Sequence, residues 1–88
     1  MKQEQTRTRF LDKEGNLLDF ERWSVKTIRG AKNRTKKMFN VFMGDWYKND
    51  LLKKGCMYVS FGVVAQNPAP GEEDYTEVER VLFSEFIA

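Results

Sequence analysis

The stretch that most constrains this chain runs from Phe39 to Gly62, FNVFMGDWYKNDLLKKGCMYVSFG. An apolar run of strand length, Met38 to Met43, stops at Gly44-Asp45. Two helical turns fit over Trp46 to Lys54, with Lys53 and Lys54 at the negative end of the dipole and Gly55 as the left-handed stop. Cys56 to Ala65 is the clearest strand: Met57, Val59, Phe61, Val63 and Ala65 alternate with Cys56, Tyr58, Ser60, Gly62 and Val64. Gly62 inside it marks a bulge or bend.

Upstream, Thr6 to Asp12 alternates, with Thr6, Thr8 and Phe10 on one side and Arg7, Arg9 and Leu11 on the other. Gly15 and Asn16 favour a turn, and Leu17 to Val25 returns as a second strand, bulged near Glu21-Arg22, to close a hairpin. Leu18 and Phe20 share one face of it, Trp23 and Val25 the other. Downstream, Gln66 to Asp74 is a loop marked by Pro68, Pro70 and Gly71, and Tyr75 to Ile87 a bent final strand.

Lys26 to Lys37 admits two readings. It holds Lys26, Arg29, Lys32, Arg34, Lys36 and Lys37 and no acid. As a helix capped by Thr27, it places Ile28, Ala31, Thr35, Met38, Phe39, Phe42 and Trp46 on one stripe. As a loop, it is loosened by Gly30 and Asn33.

The 88 residues suit one small domain, and a chain of this size buries roughly 60–65% of its unfolded surface. No apolar run approaches the ~18 residues of a membrane span, and no apolar leader opens the sequence. One cysteine, Cys56, excludes an internal disulfide framework and reads as a buried thiol, so a cytoplasmic protein is expected. With no histidine, the commonest general base and metal ligand is missing, and a non-enzyme is expected. No phosphate loop, dinucleotide fingerprint or zinc spacing occurs, and Glu72-Glu73-Asp74 lacks the spacing of a calcium loop; no cofactor or metal is expected.

Charge is unevenly placed. Residues 1–54 hold 14 Lys/Arg and 7 Asp/Glu, whereas residues 55–88 hold Arg80 alone against 6 acids. A basic half with aromatic residues among its cations points to phosphate tracking and base stacking. The same asymmetry fits electrostatic pairing with a host protein or another copy of the chain.

The order of the motifs resembles the single-stranded DNA-binding protein family, which has the oligonucleotide/oligosaccharide-binding (OB) fold. The matching residues are Val41-Phe42-Met43-Gly44, Leu52-Lys53-Lys54-Gly55, Val59 and Gly62, and Tyr75-Thr76-Glu77-Val78. They cover about half the chain, from Phe39 to Phe83, in the manner of a compact, divergent or phage-type member. The resemblance implies an all-β fold with one short helix, a five-stranded OB-fold-like barrel in which Met38–Met43 is the third strand and Lys26–Lys37 a basic loop. The alternative is an α+β fold, a four-stranded antiparallel sheet packed by one long helix from Thr27.

With the barrel, the expected function is non-catalytic, largely sequence-independent binding of single-stranded nucleic acid, DNA before RNA. The expected contacts are Arg9, Arg22, Trp23, Lys26, Arg29, Lys32, Arg34, Lys36, Lys37 and Tyr58, with Phe10 beside Arg9 a further stacking candidate. The alternative function is a small protein–protein interaction module, such as a phage or mobile-element adaptor or inhibitor.

Overall fold

The computed structural model describes residues 5–64 and 75–87, except for the side chains of Phe42 and Met43. Four strands, β1 (Thr6–Asp12), β2 (Leu17–Trp23), β3 (Cys56–Val64) and β4 (Tyr75–Leu82), form an open antiparallel sheet in the order β2-β1-β3-β4. Between β2 and β3 the chain is helical: α1 (Ile28–Lys37), a π-helical segment (Met38–Met43) and α2 (Gly44–Lys53). A single turn, α3 (Phe83–Phe86), follows β4.

The sheet does not close into a barrel, and the five-stranded expectation is corrected to the four-stranded alternative. The residues responsible are Met38–Met43, which are helix and not strand. Met38 and Phe39 continue the buried stripe of Ala31 and Thr35, and Phe39 reaches the ring of Phe10 on β1 at 5.6 Å between centroids. A strand would send alternate residues of MFNVFM to opposite faces, whereas the helix buries Met38 and Phe39 together and leaves Asn40 and Val41 exposed. The basic segment is correspondingly a helix from Ile28 to Lys37 rather than a loop, with Lys26 and Thr27 leading into it. Thr27 caps it, its Oγ1 accepting from the Gly30 amide at 3.0 Å. The helix is not one long rod. Gly44 has φ +65° and ψ −163°, a backbone almost reserved for glycine, and it breaks the run. Beyond the break the stripe is out of phase: Tyr47 is buried, and Trp46, expected on the stripe, is 63% exposed.

The α2 stop at Gly55 (φ +88°) and the Asp12–Asn16 turn are as expected. In the turn, the Asp12 carboxylate accepts from the amides of Glu14 and Asn16 at 2.9 and 2.8 Å. The β2 irregularity lies near Leu18, where Phe10 pairs with Asp19 and Leu11 with Leu17, and not at Glu21-Arg22. The last strand ends at Leu82, because Phe83 and Phe86 turn inward as a helical cap on the core. The Gln66–Asp74 loop lies outside the described residues. No helix of the described residues is long and apolar enough to cross a membrane.

The core lies between one sheet face and the helices. Phe10, fully buried, makes edge-to-face contacts with Phe39, Tyr47 and Phe83. Phe61 meets Phe86. Two polar connections fix the helical layer. Thr35 Oγ1 donates to the Ala31 carbonyl at 2.8 Å, so its bond with Thr8 Oγ1 at 2.9 Å uses the Thr8 proton. Thr8 in turn accepts from the Trp23 indole at 3.0 Å, giving a directed chain from β2 through β1 to α1. The Tyr47 hydroxyl donates to Asp19 at 2.5 Å, tying α2 to β2.

Cys56 is buried, and burial pushes its thiol up to about 11 despite opposing contacts with the backbone of Leu11 and Tyr58. Iodoacetamide at pH 7.5 is therefore expected to leave the native protein unmodified and to label Cys56 fully in denaturant, since the thiolate is the reactive form. The folded value lies above the ordinary 9.0, so the unfolded chain ionises first. Stability from this group is intact below pH 9 and falls as pH rises toward 11. Rapid native labelling at pH 7.5, read by mass spectrometry, would contradict the buried placement.

Candidate nucleic-acid interface

Strand alternation sends half of the sheet's side chains away from the helices. Pairing register identifies them. Thr8, Phe10, Val59 and Phe61 face the helices, so Arg7 and Arg9 of β1 and Tyr58, Ser60 and Gly62 of β3 face the other way. Arg7 pairs with Arg22 and Arg9 with Phe20, which brings β2 residues onto that face. Ser60 pairs with Arg80 and Gly62 with Glu77, which adds β4. None of the described elements packs over this second face.

The result is a lattice of arginines and rings. The Arg9 guanidinium lies 3.9 Å from the Tyr75 ring centroid, and Arg7 and Arg22 lie 5.2 and 5.1 Å from Phe20. Arg80 lies 5.5 Å from Tyr58. Each contact holds a flat cation against a flat ring, an arrangement worth about 0.5–2 kcal/mol according to exposure. Arg7 is buried beneath the lattice; Arg9, Phe20, Tyr58 and Tyr75 are half-buried, and Arg22 and Arg80 exposed. The four arginines of this face all have partners: Arg80 Nε donates to Glu77 at 2.8 Å, and Arg7, Arg9 and Arg22 make further interactions besides their ring contacts.

Tyr75 is the best-fixed ring. A β-carbon on Gly62 would come within 2.6 and 2.7 Å of its ring atoms, so the missing side chain is its seat. Its hydroxyl shares a 2.7 Å hydrogen bond with Ser60 Oγ. Burial raises the phenol above its ordinary value, with Ser60 and Arg9 opposing, and the ring stays neutral at physiological pH. Burial lowers the Arg9 guanidinium, Tyr75 opposing and Arg7 adding to the shift; arginine remains charged regardless. Burial also works against the Glu77 carboxylate, but the Ser60 hydroxyl and Arg80 outweigh it and hold the group below its usual range.

The expected contact residues divide into three sets. Arg9, Arg22 and Tyr58 do share the second face. Trp23 and Phe10 do not: as strand neighbours of Arg22 and Arg9 they point to the opposite side, into the core. Lys26 precedes α1, and Arg29, Lys32, Arg34, Lys36 and Lys37 lie on it, across the sheet from the arginine lattice. Lys32 is bound to Glu79 of β4 at 2.7 Å, and Lys36 lies 5.5 Å from the Phe86 ring. Sequence reasoning missed Arg7, Phe20, Tyr75 and Arg80. The alternation of β1 and β2 marks Arg7 and Phe20; Tyr75 and Arg80 join only through the β3–β4 register.

Comparison with known proteins finds no matching family model, no matching curated protein and no matching solved structure.

Proposed function

We propose that this protein binds single-stranded nucleic acid without catalysis, on the second face of the sheet. The observation that carries the reading is the arginine–ring lattice of Arg9, Arg22, Phe20, Tyr58, Tyr75 and Arg80 on a face over which none of the described elements packs. Planar guanidinium groups take phosphate oxygens bidentately and stack on bases. Partly exposed rings stack unpaired bases, and every base has a stacking face, so binding is tolerant of sequence. Phosphate and base planes are common to DNA and RNA, and oligo-dT and oligo-U are compared for that reason.

Fluorescence anisotropy with labelled oligo-dT tests the proposal. With about three arginines neutralising phosphates, affinity is expected to fall roughly 20-fold between 50 and 200 mM salt. Tyr58→Ala is expected to weaken binding about tenfold, the lower part of the range for one stacked base. No saturable binding at 50 mM salt, or binding indifferent to both salt and Tyr58, would overturn it.

A further inference from the structure

The sheet face leaves the basic helix unexplained. Arg29, Arg34, Lys36 and Lys37 are exposed, and no acid occurs between Glu21 and Asp45 in the sequence. Among the described residues only Lys32 of α1 has an ion-pair partner. Arg34, Lys36 and Lys37 in the last turn suit the helix dipole, but the rest of the pattern works against the helix that carries it. Lys32 and Lys36 are like charges four residues apart, and Arg34 and Lys37 three apart, both repulsive spacings. The first turn carries no acid to meet the helix dipole, and Arg29 sits there instead. A face kept soluble by charge would be served as well by mixed signs. Asn33, Arg34 and Lys37 also line a groove with Val25 and Gly30.

From this we infer a second nucleic-acid surface, resting on the reading of the first: the outer face of α1 takes the phosphate backbone of another strand. One chain then holds two strands, one on each side, and speeds the pairing of complementary strands. The smallest extent of the molecule is 19 Å, about two Debye lengths at physiological ionic strength, so two bound polyanions repel each other only weakly. The chemistry differs between the surfaces. The sheet face offers rings and guanidinium planes and engages bases; the helix face offers cations and an amide and engages phosphates alone.

The experiment uses the full chain with two dye-labelled complementary oligonucleotides. Native mass spectrometry counts strands per chain, and energy transfer follows annealing. The wild type is expected to form a complex of one chain with two strands and to accelerate annealing at least tenfold. The triple variant Arg29→Gln, Arg34→Gln, Lys37→Gln is expected to keep first-strand affinity within about threefold while losing the two-strand complex and the acceleration. Circular dichroism confirms that its helices persist; a triple variant that unfolds is replaced by Lys37→Glu, which is expected to lower the two-strand population at least fivefold. A strict one-to-one complex would overturn the inference and leave the sheet reading intact, whereas a triple variant that loses first-strand binding as completely as Tyr58→Ala with Arg80→Gln would overturn the inference and place the first strand on α1 as well, against the sheet reading. Uptake of poly-glutamate on α1 with no second strand would overturn it in favour of an acidic protein partner. Absence of any oligonucleotide binding by the wild type would overturn both.

Discussion

Phe10→Ala is expected to cost about 3–5 kcal/mol of folding stability. Phe10 is fully buried at the centre of β1, and its ring meets one aromatic from each part of the helical layer: Phe39 of the π-helical segment, Tyr47 of α2 and Phe83 of α3. Truncation removes the transfer energy of the ring and three edge-to-face contacts together. It also leaves a cavity bounded by β1 and three helical pieces that cannot all collapse onto it. A domain of this length has roughly 4–13 kcal/mol in total, so the loss brings it close to unfolding at 25 °C. Urea denaturation followed by tryptophan fluorescence measures the change. A cost under 1 kcal/mol would show that Phe39 and Phe83 do not converge on this ring, and the helical assignment of Met38–Met43 would fall with it.

Gly62→Val is expected to cost about 3 kcal/mol, the upper part of the range for overpacking. The reason is space rather than backbone conformation. A β-carbon at Gly62 would approach the Thr76 carbonyl oxygen at 2.3 Å as well as the Tyr75 ring. A ring can rotate aside, but Thr76 belongs to β4, so relief requires the β3–β4 ladder to open where Val63 pairs with Thr76. The variant also unseats Tyr75 and with it the partner of Arg9. Gly15→Ala is the informative control. Its φ is +85° with nothing within 4 Å of the added carbon, so it carries only the left-handed penalty of about 1–2 kcal/mol. Equal costs at the two positions would show that Tyr75 does not lie over Gly62.

Much of this sheet is legible from local alternation. The inward set Thr6, Thr8 and Phe10 and the inward set Val59 and Phe61 both follow from period two, as do Arg7 and Arg9 on the far side. Alternation also argues against pairing Trp23 with Arg22 as one contact surface, since neighbours in a strand face opposite ways. MFNVFM is harder. Six apolar-rich residues suit a strand or a buried helix equally, and the choice is made by Phe39 meeting Phe10, a contact 29 positions apart. Gly44 compounds the ambiguity, because the helical stripe fails beyond it and Trp46 falls outside the core. The arginine lattice is non-local in the same sense: Arg80 and Tyr75 meet Tyr58 and Arg9 only once β4 is placed beside β3.

The central claim is that single-stranded nucleic acid lies on the sheet face and not, in the first instance, on the basic helix. Titration of 15N-labelled protein with oligo-dT up to one equivalent, followed through arginine Nε–Hε and backbone amide signals, addresses it most directly. The account predicts shifts concentrated at Arg9, Arg22, Tyr58, Tyr75 and Arg80, with Arg29, Arg34 and Lys37 nearly unmoved until a second equivalent is added. Shifts confined to α1 at the first equivalent, with the sheet arginines unmoved, would contradict it.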